Sequence, residues 1–412
     1  MSFLSLMREH PRLIGFGTLF CFGSSVGQTF FISLFVPAIT ADLALADADL
    51  ANIYALVTIA SAVLLVWAGR PIDRVDLLTY AVAVLLFVAA GCVLMAGSWG
   101  LIPLAIGLGM VRMGGQGLMS HAALTGIARH FNARRGAALA LVISGFALGE
   151  IVLPVPMVWA IGEFGWRAVY ASAGVVAGLV VLPLTVWLLR NARSFRWPKS
   201  EGGGDPAPAA GTALRAGTLT ARALWRSPYF LALAPAYCAA PFAVTALIFH
   251  QAAIAEGKGL TLGLFAASFA LFGLVQIGTG IGSGPAIDRF GARSLFPLHL
   301  IPFALGTAIL ALFDGAWTAP VYMSLLGATA GMSGTLRTAV VAELVRSDHL
   351  GTARSGLTAL MVVSTALGPA VYGWMMLGGL DTGGLLWATL ILLVSVSVIA
   401  AAAQYAPRNK SA

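Results

Sequence analysis

The 412-residue chain is 59% hydrophobic and only 10% charged, whereas a soluble globular protein carries about 25% charged residues. That deficit excludes an ordinary water-soluble domain, and the 48 glycines suit helices that approach closely inside a bilayer. The formal net charge of +8 would suit a nucleic-acid partner, but the placement of the basic residues argues against one.

Arg8 and Arg12 precede an apolar stretch of about 26 residues, whereas the apolar region of a cleaved signal is about 7–15 residues long. This first segment is therefore expected to be a retained membrane helix. About 20 apolar residues span a bilayer core. Segments that meet this requirement run at roughly 13–38, 50–69, 77–97, 101–127, 136–161 and 168–190. Six more follow at roughly 229–254, 262–283, 294–314, 318–345, 354–379 and 384–405. The expected fold is all-α and integral to the membrane, with 12 transmembrane helices in two pseudo-symmetric six-helix bundles, 1–190 and 229–412. Between them, 191–228 contains the run EGGGDPAPAAG among basic residues, a composition that tethers rather than packs. Cys21, Cys92 and Cys238 each lie in an apolar run without metal-ligand spacing and read as small buried hydrophobes. No metal or cofactor is expected.

With the N-terminus inside, 20 of the 24 basic residues fall on the cytoplasmic side, only Arg167 and Lys258 fall outside, and Arg112 and Arg337 lie within helices. Lys and Arg favour the cytoplasmic side, so both termini are expected there, in a bacterial inner membrane. The basic charge is thus a topology signal.

The chain repeats itself. Gly69-Arg70-Pro71-Ile72-Asp73-Arg74 recurs as Gly284-Pro285-Ala286-Ile287-Asp288-Arg289, offset 215 residues. Gly117 and Arg129 recur as Gly334 and Arg346 at offset 217, and Gly149 recurs as Gly368 at offset 219. These residues resemble the helix 2–3 loop signature of the major facilitator superfamily, roughly G-x-x-x-D-R-x-G-x-R. The second copy matches it through Gly291 and Arg293, while the first has Asp76 in place of the second glycine. The resemblance implies two bundles rocking around a central site lined by helices 1, 4, 7 and 10. The loop residues themselves suggest a conformational latch at Gly69, Asp73, Arg74, Gly284, Asp288 and Arg289, set against the plainer reading of loop-anchoring charge. There the glycines would admit a neighbouring helix, and the aspartates would meet a helix N-terminus or an arginine across the bundle gap. The run HFNARRGAALALVISGFALGE and the later FGWR resemble monocarboxylate-porter-like and oxalate-antiporter-like members.

Ionisable groups at the centre of a membrane helix cost about 2.5–3.5 kcal/mol and mark functional candidates. Arg112 lies about 25 Å along its helix from Arg129, and Glu150 lies about 22 Å from Arg135. At one level, the two are expected to form an ion pair, either permanent or broken by substrate or a proton. Glu150, and with it His121, is the candidate for proton coupling. Arg112, Gln116 and Ser120 recur every four residues and share one α-helical face. Arg337 aligns with Ser120 in the repeat, so each half would project one guanidinium, a group suited to carboxylate or phosphate. Ser24 and Gln28, four residues apart, present one polar face in the first segment. Tyr237 and His250 complete the expected substrate contacts, set against the plainer reading that hydroxyls and amides at this depth bond other helices.

The expected function is secondary active, proton-coupled transport of a small organic solute, with an anion such as a carboxylate favoured. An efflux pump for lipophilic compounds and a transporter-like nutrient sensor are the alternatives. The expected partners are the solute, protons and the bilayer, with no nucleic acid, in a monomer. No G-x-x-x-x-G-K-S/T phosphate loop occurs, so ATP hydrolysis is not the expected energy source. No acidic pair or nucleophile with workable spacing suggests an enzyme.

Overall fold

The computed structural model describes residues 3–131, 134–190, 219–346 and 349–405. The described residues are helical apart from turns and one bridge between Leu219 and Val345. They fall into two compact units that divide between Arg190 and Leu219. The predicted linker lies outside the described residues over 191–218.

In the N-terminal unit, a short helix Phe3–Glu9 leads into α1, which is built from Pro11–Gly23, the 3-10 turn Ser24–Gly27, Thr29–Ile32 and Val36–Leu43. Its break has a local cause. Ser24 turns its hydroxyl onto the Cys21 carbonyl at 2.6 Å, Gly23 and Gly27 flank the turn, and Gln28 is extended at φ −88°, ψ 153°. Helix α2 is Asp47–Ala68 and α3 is Leu77–Ala96. Helix α4 runs Leu101–Val111, widens into a π-helix over Arg112–Met119, and returns to α over Ser120–His130. Gly114, Gly115 and Gly117 lie within the widened stretch, where weak helix formers permit the irregularity. Helix α5 is Arg135–Val152 and bends at Pro154. It continues to Gly165, whose φ of 78° turns the chain into α6, which ends in Leu182–Leu189.

The C-terminal unit comprises α7 (Pro228–Phe249, extended by Gln251–Gly257), α8 (Leu262–Phe290), α9 (Ala292–Leu295 through Ile301–Leu312), α10 (Thr318–Leu344), α11 (Leu350–Leu377) and α12 (Thr382–Tyr405). The twelve helices match the predicted segments. Ten helical runs are long and apolar enough on their own to cross a membrane. Helix α1 is not among them because it is broken, nor α10 because it is too polar, and the 36-residue run Pro154–Leu189 joins the end of α5 to α6.

Large apolar side chains stand outward, among them Leu64 and Trp67 in α2, Ile102 in α4, Leu179 in α6, Ile281 in α8 and Ile391 in α12. Such a coat is unsustainable in water and marks the lipid-facing surface. Inward, each unit packs fully buried aromatics: Phe16, Phe20, Phe35, Tyr54 and Tyr170 in one, and Phe230, Phe249, Phe265, Phe269 and Phe303 in the other. The repeat extends to atomic packing. Gly149 of α5 lies against Ser25 of α1, and its partner Gly368 of α11 lies against Phe242 of α7.

The departure of the first loop signature also has a structural reason. Gly291 takes φ 80°, which a side chain strains, whereas Asp76 is the N-cap of α3. Asp76 accepts the Thr79 backbone N–H at 2.9 Å and the Thr79 hydroxyl at 2.7 Å. These bonds hold its carboxyl below the usual carboxylate range. A depressed carboxylate contributes stability above its unfolded pKa of about 3.9 and loses it as pH falls through the folded value. Asp76→Ala is expected to cost about 0.5–2 kcal/mol at neutral pH. The difference in melting temperature from the native chain should narrow as pH drops below about 4.

Candidate functional site

Three polar clusters sit within the units. The first surrounds Arg112, only 4% exposed. Its Nε donates to Thr58 Oγ1 of α2 at 3.0 Å, and its Nη1 donates to the Gly27 carbonyl of α1 at 2.9 Å. The guanidinium lies 4.6 Å from the Tyr54 ring centroid, and the Tyr54 hydroxyl is 2.6 Å from Thr29 Oγ1. In an unbroken helix the Gly27 carbonyl would meet the Phe31 N–H, but that N–H bonds Gln28 instead. Arg112 therefore caps the carbonyl that the break in α1 releases. The expected Arg112–Glu150 ion pair is absent. Helix α1 touches both partners at this level, Gly27 taking Arg112 while Ser25 packs on Gly149 beside Glu150. Glu150 instead keeps Oε2 buried without a hydrogen-bond partner among the described residues.

The π-helix also removes the shared face expected for Arg112, Gln116 and Ser120. With wider turns, residues four apart no longer stack, and Arg112 is buried while Gln116 is exposed. The Ser24–Gln28 face does form, with Gln28 Nε2 donating to Ser24 Oγ at 3.0 Å.

The second cluster lies in the C-terminal unit. Arg337 of α10 holds its guanidinium 5.7 Å from the Tyr237 ring of α7. Its Nε donates to the Ser333 carbonyl at 3.1 Å, and its Nη1 is buried without an acceptor among the described residues. Arg337 and Tyr237, predicted separately, thus come together. His250 stands elsewhere on α7, buried, with Nε2 2.9 Å from the Pro369 carbonyl of α11. His299 is likewise buried and turned onto the Phe296 carbonyl.

The third cluster is the α2–α3 turn. Asp73 pairs with Arg129 of α4, and Arg129 Nη1 also reaches the Ile72 carbonyl at 3.3 Å. The aspartate's partner therefore lies within its own unit, not across a gap between bundles. The second copy is built differently. A side-chain carbon placed on Gly284 would meet no neighbouring atom within 4 Å, contrary to the expected close approach. Among the described residues no ion pair involves Asp288, Arg74 or Arg289, and Arg289 lies 5.2 Å from the adjacent Phe290 ring. Instead Glu343 of α10 accepts the Ala292 N–H at 2.9 Å and pairs with Arg293 at 3.5 Å. Each unit thus ties this loop to its fourth helix with opposite polarity. Asp73 and Arg129 are 56% and 33% exposed, so their pair contributes about 0–1 kcal/mol, weak enough to open and close.

Sequence reasoning missed Tyr54 and Thr58, although two hydroxyl side chains spaced by four along the apolar α2 were a usable signal. It also missed the partners of the two outer basic residues. Arg167 binds Asp42 at 2.7 Å and Lys258 binds Asp314 at 2.6 Å.

Twelve helices among the described residues, in two matched units that each bury polar groups beneath an apolar outer coat, define a polytopic membrane protein. The chain belongs to the Major Facilitator Superfamily, whose sequence profile matches residues 18–284 and 243–412, and it is a membrane transporter. Multidrug resistance protein MdtH of Yersinia enterocolitica is 33% identical over 107 residues, and the Yersinia pestis protein of that name matches equally. The matched stretch covers 25% of this chain and 26% of the relative's length. A bacterial homologue of the human lysosomal transporter Spinster, solved inward-facing and occupied, superposes with a TM-score of 0.68 at 17% identity, covering 96% of each chain. The unoccupied inward-facing form gives a TM-score of 0.63 at 16% identity, covering 96% of this chain and 95% of that one. At these identities the two structures support the fold alone.

Proposed function

We propose that this chain is a proton-coupled secondary transporter of a small organic anion, a carboxylate by preference, working by alternating access between bundles 1–190 and 229–412. It would reside in a bacterial inner membrane as a monomer with both termini cytoplasmic. The observation that carries the anion reading is Arg337. Its Nη1 is buried without an acceptor, it faces the Tyr237 ring, and no described carboxylate pairs with it. A guanidinium at that depth is costly unless an anion meets it. Gln28, Ser24, Gln116 and His250 remain candidate contacts, and Arg112 supports the fold of α1 rather than the solute.

A second reading, efflux of lipophilic compounds, draws on the local similarity to MdtH. It also draws on an apolar groove of about 420 Å³ lined by Ile14, Thr18, Leu19 and Phe22 of α1 and Leu148 of α5. The two readings separate in a thermal-shift screen of the purified protein against organic acids and lipophilic cations. Stabilisation by acids, abolished in Arg337→Ala, is the expected result. Stabilisation by lipophilic cations alone, unchanged in that variant, transfers the assignment to efflux.

A further inference from the structure

His121 of α4, a proton-coupling candidate from the sequence, faces the C-terminal end of α2. A side-chain carbon built on Gly69, at the C-terminal end of α2, would stand 3.4 Å from its Nε2. That nitrogen is buried without a hydrogen-bond partner among the described residues. Its Nδ1 is 3.4 Å from Thr125 Oγ1 one turn along. Its ring stands edge-on to Tyr80 of α3 at 6.4 Å, and the Tyr80 hydroxyl donates to the Ala68 carbonyl at 3.1 Å. Two turns beyond His121, Arg129 holds Asp73 and the Ile72 carbonyl. His121, Thr125 and Arg129, spaced by four, thus form one stripe of α4 that runs along the whole α2–α3 turn.

The repeat supplies an internal control. At the offset of 217 residues that relates Arg129 to Arg346, His121 corresponds to Thr338. The Thr338 hydroxyl bonds its own helix at Gly334, and Gly284 opposite stands open. The histidine contact therefore exists in one half only.

We propose that His121 is a positioning residue that couples protonation to the α2–α3 turn: the imidazolium binds the C-terminal end of α2 and holds the turn against α4, and the neutral ring releases it. The C-terminus of a helix carries about half a negative charge, so a cation facing it is favoured, and a second ring N–H gives Nε2 a proton to donate there. The charged and titratable groups on the turn and the adjoining ends of α3 and α4 are Arg70, Asp73, Arg74, Asp76, Tyr80 and Arg129, none of them an imidazole. His130 lies nine residues further on and stacks with His10 and Phe131. The proposal does not depend on which solute is carried.

Hydrogen exchange of the full-length protein in nanodiscs between pH 8 and pH 5.5 tests it, with rates corrected for intrinsic pH dependence. Protection of 69–76 is expected to rise about five- to thirty-fold between pH 8 and pH 5.5, while 284–291 stays flat. His121→Gln should leave 69–76 unprotected at both pH values, and His121→Lys should protect it at both. A turn whose protection does not change with pH in the native chain overturns the proposal without recourse to any variant. A pH response that survives in folded His121→Gln assigns the effect to another group and overturns it equally.

Discussion

Glu150→Gln, reconstituted into proteoliposomes, is expected to exchange solute across the bilayer but to lose its response to a pH gradient. Glu150 is the acidic residue within the membrane helices whose carboxylate oxygen is buried without a partner among the described residues. A charged carboxyl at the centre of a membrane helix costs about 2.5–3.5 kcal/mol, so gaining or losing a proton there changes which arrangement of the surrounding helices is favoured. Glutamine keeps the shape and removes the titration. The size of the effect follows from the gradient. One proton per solute is worth about 1.4 kcal/mol, or tenfold accumulation, for each pH unit. A gradient of about two units should therefore drive about hundredfold accumulation in the native carrier and none in Glu150→Gln. Exchange at equal pH should persist in the variant, since it needs only the solute site. Gradient-driven accumulation that survives in Glu150→Gln would falsify the coupling assignment.

The second large effect concerns folding. Gly115→Leu is expected to abolish the monodisperse peak of the detergent-solubilised protein. At Gly115, in the π-helix of α4, a side-chain carbon would stand 2.7 Å from the Gly27 nitrogen of α1 and 2.9 Å from its Cα. Both obstacles are backbone, so no rotamer change relieves them. Even Gly115→Ala should cost about 1–3 kcal/mol as an overpacked contact, and leucine should force apart the break in α1 and the Arg112 cap that satisfies it. Gly334→Ala is the control. A side-chain carbon built there meets no neighbouring atom within 4 Å, and alanine in place of glycine in a helix interior should stabilise by about 0.5–1 kcal/mol. Equal melting temperatures for Gly115→Ala and Gly334→Ala would show that the crossing of α1 and α4 tolerates separation.

What the sequence determined by itself was set by quantities that add along the chain. Twelve spans follow from apolar length, because lipid imposes one thickness on every helix. The repeat follows from residues such as Gly149 and Gly368, whose spacing survives in the packing of α5 on α1 and of α11 on α7. The polar face of Ser24 and Gln28 was legible because it lies within one turn. Tertiary structure decided which buried groups meet. Depth along a helix placed Arg112 and Glu150 at one level, but the π-helix and the intervening backbone of α1 sent Arg112 to Gly27, Thr58 and Tyr54. In the same way Asp73 found Arg129 in its own unit, while in the second copy the loop is tied to α10 through Arg293 and Glu343. Periodicity fixes where a side chain sits along its helix, but its partner depends on how neighbouring helices rotate and break, and those rotations are set by glycine contacts between residues far apart in the chain.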